Sequence, residues 1–305
     1  MDQLSIDRQT NDFRPIVELV TNSVTSPHSQ RAYKQALNEF LIWYDSHGRP
    51  GFNKAAVNSF RADLLAANKS PSSINLTMSA IRKLATEAAD NGFLEPLVAE
   101  GIRRVKGVKT SGVRIGNWLT VEQAQKLIQT PDPTTLKGKR DRAILAVMLG
   151  GGLRRSEVAN LSHEDIQQRE ARWVIVDLVG KGNRVRTVPI PAWVKIAIDS
   201  WTTAASITKD HVFRPVNKGG RLGGGSMSPQ AIYNVVHETA TAAGFDVAAH
   251  DLRRTFAKLA HKGGAALEQI QLSLGHATIQ TTERYLGVAQ DLHQAPCDVL
   301  GLGLK

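Results

Sequence analysis

The sequence predicts a mainly α-helical chain with a small antiparallel β-sheet, divided into a helical N-terminal domain and a mixed α/β C-terminal domain. Three observations predict it. Apolar residues recur at intervals of three and four through most of the chain, the period of helices with one buried face. A single pair of strand-like runs, Arg172 to Leu178 and Val185 to Ile190, flanks the turn Gly180-Lys181-Gly182-Asn183. Between the two halves lies Arg103 to Arg114, basic, glycine-containing and aperiodic, as expected of a linker.

Composition narrows the class. The chain has 305 residues, 42% hydrophobic and 22% charged, enough for two domain cores. Its one cysteine, Cys297, excludes an internal disulfide framework and a multi-cysteine zinc site. No apolar run approaches the roughly 20 residues of a membrane span. The first residues lack the basic-then-apolar pattern of a secretory signal, so a cytoplasmic location is expected. A net charge of +10 and a pI of about 9.8 point to a polyanionic partner, most often nucleic acid.

In the N-terminal part, residues 1–27 are polar around the apolar patch Ile16 to Val20. Tyr33, Ala36, Leu37, Phe40, Leu41 and Tyr44 then make one face of a helix over Ser29–His47, stopped by Gly48 and Pro50. Asn53 caps a second helix with Ala56, Val57, Phe60 and Leu64-Leu65 on its apolar side. Pro71 opens a third, with Ile74, Leu76, Met78, Ile81, Leu84 and Ala85 facing in. A fourth runs from about Leu94 to Ile102, completing a four-helix unit with short connections. Arg31, Lys34, Arg82 and Lys83 on this unit, and Arg103, Arg104 and Lys106 beyond it, are the residues expected to meet DNA phosphates. The expected domains are 1–108 and 118–290, joined by a linker at 109–117 and followed by a tail at 291–305.

In the C-terminal part, Thr120 and Gln123 form a capping box at a helix start. Ala143 to Leu149 is apolar on most sides and reads as a buried core helix, ending in Gly150-Gly151-Gly152. Leu153-Arg154-Arg155-Ser156-Glu157 follows, presenting an arginine between two helices with Glu157 within reach on the same face. The hairpin carries Lys181 at its tip. A helix around Trp193 to Trp201 and a short strand at His211 to Phe213 come next. Ser228-Pro229 starts a helix that closes at Gly244, and His250 opens another with Leu252, Phe256, Leu259 and Ala260 inward.

The chemistry gathers near the end. His250-Asp251-Leu252-Arg253-Arg254-Thr255 is followed by Leu274-Gly275-His276 and, one helix on, by Arg284-Tyr285. Arginines that hold phosphate oxygens, histidines and a phenol suit attack on a phosphodiester. Spacing does not choose between Arg253 and Arg254, or between Arg154 and Arg155. No phosphate-binding loop, carboxylate cluster or His pair with metal-ligand spacing is present, so no cofactor and no metal are expected.

These segments resemble the tyrosine recombinase (phage integrase) family, and the chain is Xer-like in size. Leu153–Glu157, Gly180–Asn183, His250–Arg253, Leu274–His276 and Thr282–Tyr285 occur in the family's order. The N-terminal part is similar to the family's core-binding domain in size and pattern. The resemblance implies a site-specific DNA recombinase that cleaves and rejoins strands through a 3′-phosphotyrosine link. It picks Arg154 and Arg253 as the phosphate-binding arginines, with Glu157 supporting the first. Lys181 then serves as general acid, His250 and His276 assist, and Tyr285 is the nucleophile. It further implies double-stranded DNA with specific recombination sites as partner, a homotetramer in the synaptic complex, and accessory DNA-bending proteins among the partners the family admits. The alternatives are a type IB topoisomerase-like nicking-closing enzyme and a catalytically idle DNA-binding protein on the same fold. Val288 to Lys305 reads as a tail that either frays or docks on a neighbour through Leu300, Leu302 and Leu304.

Overall fold

The computed structural model describes residues 13–109, 117–180 and 184–287. Lys181 with Gly182 and Asn183, Cys297, residues 110–116 of the linker and the tail with Leu300, Leu302 and Leu304 lie outside the described residues. The chain divides into two compact units between residues 113 and 114. Among the described residues no helix is long and apolar enough to cross a membrane.

The first unit holds five described helices: α1 (Arg14–Asn22), α2 (Pro27–Ser46), α3 (Lys54–Ala66), α4 (Pro71–Asp90) and α5 (Pro96–Arg103). The expected four are α2 to α5, and α1 is an addition. Its inner face is the patch Ile16, Val17 and Val20. Its start is hidden from the sequence because Phe13, at the N-cap, offers no side-chain acceptor. Asn53 caps α3 as expected, accepting from the amides of Ala55 and Ala56. Leu76 and Leu65, expected inside, are 39% and 45% exposed. The buried stripe of α4 runs through Ile74, Met78, Ile81 and Ala85, and a residue two places past Ile74 is turned about 200° from it. Leu65 is likewise turned about 100° from the buried Leu64.

Residues 105–108 do not run free, as a linker would. Val105 is buried, and Arg61 donates to the carbonyl of Lys106 at 2.6 Å. Asn75 brackets Val108 like a strand partner, accepting from its amide at 2.8 Å and donating to its carbonyl at 3.0 Å.

The second unit is built on α7 (Leu136–Gly150), buried all round from Ala143 to Met148. Against it pack α6 (Val121–Gln129), α8 (Arg155–Asn160), α9 (Ala192–Ala204), α10 (Pro229–Ala243) and α11 (Ala249–Lys262). The helices α12 (Leu267–Leu274) and α13 (Ile279–Leu286) follow and share a small cluster of their own around Ile270, Leu274 and Leu286. Both expected caps form: Thr120 and Gln123 exchange hydrogen bonds, and Ser228 accepts from Ala231.

The hairpin is part of a three-stranded antiparallel sheet, β1 (Ile166–Arg169), β2 (Arg172–Val179) and β3 (Val185–Pro189), in that order. The extra strand β1 is a polar edge, exposed along most of its length, and so shows no alternation to read. The strand expected at His211 to Phe213 is reduced to one bridge, His211 with Ser162, while Val212 accepts from the indole of the buried Trp201 at 2.8 Å.

Candidate active site

Two of the three glycines that end α7, Gly150 and Gly152, are required by crowding. A Cβ on Gly150 would come within 2.4 Å of Val194, and one on Gly152 within 2.6 Å of the Phe256 ring on α11. Gly152 also has φ +62°, a left-handed value that L side chains avoid. The chain therefore reverses hard against α11 and turns the Gly152 carbonyl toward Arg253, whose Nη1 donates to it at 2.5 Å.

Arg154 stands just past this reversal, at the N-cap of α8. Glu157, one turn on, receives the Arg154 backbone amide and its Nη1, each at 2.7 Å. The same carboxylate takes a forked pair from Arg186 of β3, at 2.8 and 2.9 Å. Burial works to raise the Glu157 pKa. The hydrogen bonds from Arg186 and from the Arg154 amide, with both positive charges, outweigh it and hold the pKa at about 2.

Three guanidinium groups converge on the end of α12, where the unpaired carbonyls of a helix concentrate negative potential. Arg186 Nε donates to Ser273 at 2.8 Å. Arg253 Nη2 and Arg154 Nη2 both reach the Leu274 carbonyl, the latter at 3.4 Å. Arg253 is 1% exposed; burial first and the charge of Arg154 second pull its pKa down to about 9, so it stays charged at neutral pH.

Gly275 ends α12 at φ +63°, and a Cβ there would lie 2.9 Å from Cδ of Arg186. Gly275→Ala is expected to lower stability by about 1–2 kcal/mol from the left-handed backbone alone, measured by urea unfolding. A change within experimental error would mean that the turn adapts freely.

The turn delivers His276, whose Nδ1 lies 3.0 Å from Oγ1 of the buried Thr282. The tautomer that lets Thr282 donate to Nδ1 leaves the proton on Nε2, ready to donate to a substrate oxygen. Burial, then the charges of Arg253 and Arg154, bring the His276 pKa down to about 4 and keep the ring neutral at physiological pH. The α13 helix then presents Tyr285. Its ring meets those of His250 and His276 edge-on, with centroids 5.5 and 5.3 Å apart. Its hydroxyl donates to the His250 carbonyl at 3.3 Å. Burial pushes the phenol up to about 12, against the pull of Arg253 and Arg254. The His250 pKa is lowered by desolvation of its ring and then by Arg253 and Arg254.

Arg154, His250 and Arg253 line one cleft together with Leu153, Tyr233 and Ala249; Glu157 joins it through Arg154, and His276 and Tyr285 through their ring contacts beside His250. The adjacent arginines are placed differently. Arg253 points inward, while Arg254 pairs with Asp251 at 3.0 Å and lies over the Tyr285 ring, 5.1 Å from its centroid. Arg154 is held by Glu157, while Arg155 is exposed beside the ring of Tyr233. Asp251 has a local duty as well, accepting the Ala248 amide at the start of α11.

The basic residues of the first unit are not gathered in one way. Arg31 and Lys34 are exposed on α2. Lys83 pairs with Glu87, and Arg103 and Arg104 share Glu100. Arg82 is half-buried, with its Nε shielded from solvent, and Lys106 is exposed.

Arg186 is not singled out by the sequence; Arg254 enters it only as the alternative to Arg253, and Thr282 only as the first residue of a matching segment. For Arg186 a signal exists: on β3 it lies two residues from the buried Val188, on the inward side of the alternation. For Thr282 it is the spacing of four to the buried Leu286.

Comparison with known proteins bears on this arrangement. The Phage integrase family profile matches residues 117–291, and that of the Phage integrase, N-terminal SAM-like domain matches residues 17–92. Tyrosine recombinase XerC of Thermodesulfovibrio yellowstonii is 28% identical over 272 residues, 86% of this chain and 86% of the relative. The XerH site-specific recombinase bound to palindromic difH substrate, in a post-cleavage complex, is 18% identical with a TM-score of 0.72, over 92% of this chain and 82% of that one. A lambda integrase tetramer bound to a Holliday junction is 14% identical with a TM-score of 0.67, over 91% and 77%. At these identities the two structures speak to the fold.

Proposed function

The chain belongs to the phage integrase family, the tyrosine recombinases, and is a site-specific DNA recombinase; we propose that it cleaves and rejoins strands with the residues gathered around Tyr285. The Tyr285 Oη attacks the scissile phosphorus as the bond to the 5′ oxygen breaks. The phenolic proton passes to His250, and Lys181 protonates the departing 5′ oxygen to give a 5′ hydroxyl. The covalent 3′-phosphotyrosine keeps the energy of the broken diester, so a 5′ hydroxyl rejoins the strand by the reverse steps.

One observation carries this reading: the half-buried Tyr285 phenol stands against the His250 and His276 rings and under the charge of Arg254. Tyr285 is pushed up to about 12 by burial while Arg253 and Arg254 pull it down. A phosphate bridging Arg154 and Arg253 brings its phosphorus to this phenol, and those fixed donors stabilise the charge that grows on its oxygens. His276, neutral and with Nδ1 engaged, adds a hydrogen bond without adding charge. Arg31, Lys34, Arg82, Lys83, Arg103, Arg104 and Lys106 contribute contacts to the DNA backbone in this reading, and four protomers act on two sites.

The test is recovery of DNA bound covalently to the protein from denatured lysates of expressing cells, followed by sequencing of the attached ends. Adducts at one recurrent sequence are expected. Adducts scattered over the genome, relaxing DNA without pairing of sites, would instead mark a nicking-closing enzyme.

A further inference from the structure

We propose that Arg186 is a positioning residue of the reaction, a clamp that holds the Arg154–Glu157 pair and the turn bearing His276 in one rigid frame. The proposal rests on the functional reading above.

Four observations support it. The Arg186 guanidinium spends both terminal nitrogens on the two oxygens of Glu157 and its Nε on the Ser273 carbonyl, so a single planar group joins β3, α8 and α12. Its side chain is 8% exposed, so no solvent competes for these bonds. It lies between two bare backbones: a Cβ on Gly275 would sit 2.9 Å from its Cδ, and one on Gly180 3.5 Å from its Nη1. Finally, Glu157 uses its remaining capacity on the amide and Nη1 of Arg154. A shift of Arg186 therefore moves the Arg154 fork and the His276 turn together.

The chemistry explains why an arginine stands here. Three bonds in fixed directions need the planar fork; a lysine offers a point charge that meets one partner well. Arg186 itself makes no approach to a reacting atom. Its influence passes through Arg154 and through the backbone at Gly275, and misplacing a phosphate-binding group by about 1 Å costs on the order of 100-fold in rate.

Arg186→Lys keeps the charge and loses the fork, and is the deciding variant; Arg186→Gln, which keeps a donor and much of the length, serves if the lysine form folds poorly. In full-length protein, two quantities are compared with the wild type. The first is covalent adduct yield in cells, normalised to folded protein, alongside DNA retention. The second is the titration of the His276 imidazole by NMR, assigned with His276→Gln. The expected result for Arg186→Lys is an adduct yield reduced by about 10- to 100-fold, DNA retention within about twofold, and a His276 pKa moved from about 4 toward its ordinary value. Because the positive charge is kept, that movement reports lost packing.

Wild-type adduct yield and an unmoved His276 titration in both variants would overturn the proposal. So would a fall in adduct that merely tracks loss of folded protein, with His276 unchanged in the fraction that folds. Absence of adduct from the wild type would strike the recombinase reading instead, and the His276 titration would still decide whether the clamp exists.

Discussion

Tyr285→Phe is expected to lower covalent adduct formation by about 10⁴-fold or more, while DNA binding stays within about twofold. Removing a nucleophile from a site that acts as a unit has effects of this order. The substitution deletes one oxygen and little else. The ring keeps its edge-on contacts with His250 and His276 and its place under Arg254. The only hydrogen bond lost is the long one to the His250 carbonyl, 3.3 Å, worth well under the roughly 1 kcal/mol of an ordinary hydrogen bond. Thermal unfolding of the variant should therefore match the wild type, and filter retention of DNA should too. Adducts that persist at wild-type yield would move the nucleophile to another residue and dismantle the assignment of every group around it.

Glu157→Ala is expected to destabilise the second unit by about 3–5 kcal/mol, the range for removing one member of a buried ion pair. Its side chain is 4% exposed and accepts four hydrogen bonds from two arginines. Without it, Arg154 and Arg186 face each other and Arg253 with no counter-charge. The pH dependence gives an independent estimate. A carboxyl held at about 2, against an ordinary 4.5, contributes stability that is fully present above pH 4.5 and is lost as pH falls through 2. The difference is worth about 3 kcal/mol. Urea unfolding at pH 7 and pH 3 should thus show the gap between wild type and variant narrowing at the lower pH. An equal gap at both would mean that the carboxylate does not hold the arginines through its charge.

Much of this fold is legible because it is local. The stripes of α2, α3, α4 and α7 and the caps at Asn53, Thr120 and Ser228 depend on residues within a turn or two of one another. The segments that escape notice lack such a pattern: α1 has no capping side chain, and β1 is a solvent-facing edge of Gln167, Gln168 and Arg169. The strapping of residues 105–108 depends on Asn75, about thirty positions away, and no periodicity reports a contact of that kind. The site divides in the same way. Histidine, arginine and tyrosine at family spacing are visible in the sequence. Which of two adjacent arginines turns inward is decided by carbonyls elsewhere, Gly152 for Arg253 and Leu274 for both Arg253 and Arg154. Arg186 lay on the inward side of its strand all along, but a charge there reads as solvent-facing until its carboxylate partner is seen.

The arginines at the end of α12 have one further consequence. Arg154 and Arg186 share the Glu157 carboxylate, Arg253 has only backbone carbonyls as partners, and the two histidines beside them are biased toward neutrality. Without substrate, this corner of the fold carries like-charge repulsion that helix carbonyls soften but do not cancel. That repulsion is a cost to the stability of the unoccupied protein, and on the proposed function an incoming diester supplies the missing counter-ion, so that substrate is expected to raise the stability of the second unit.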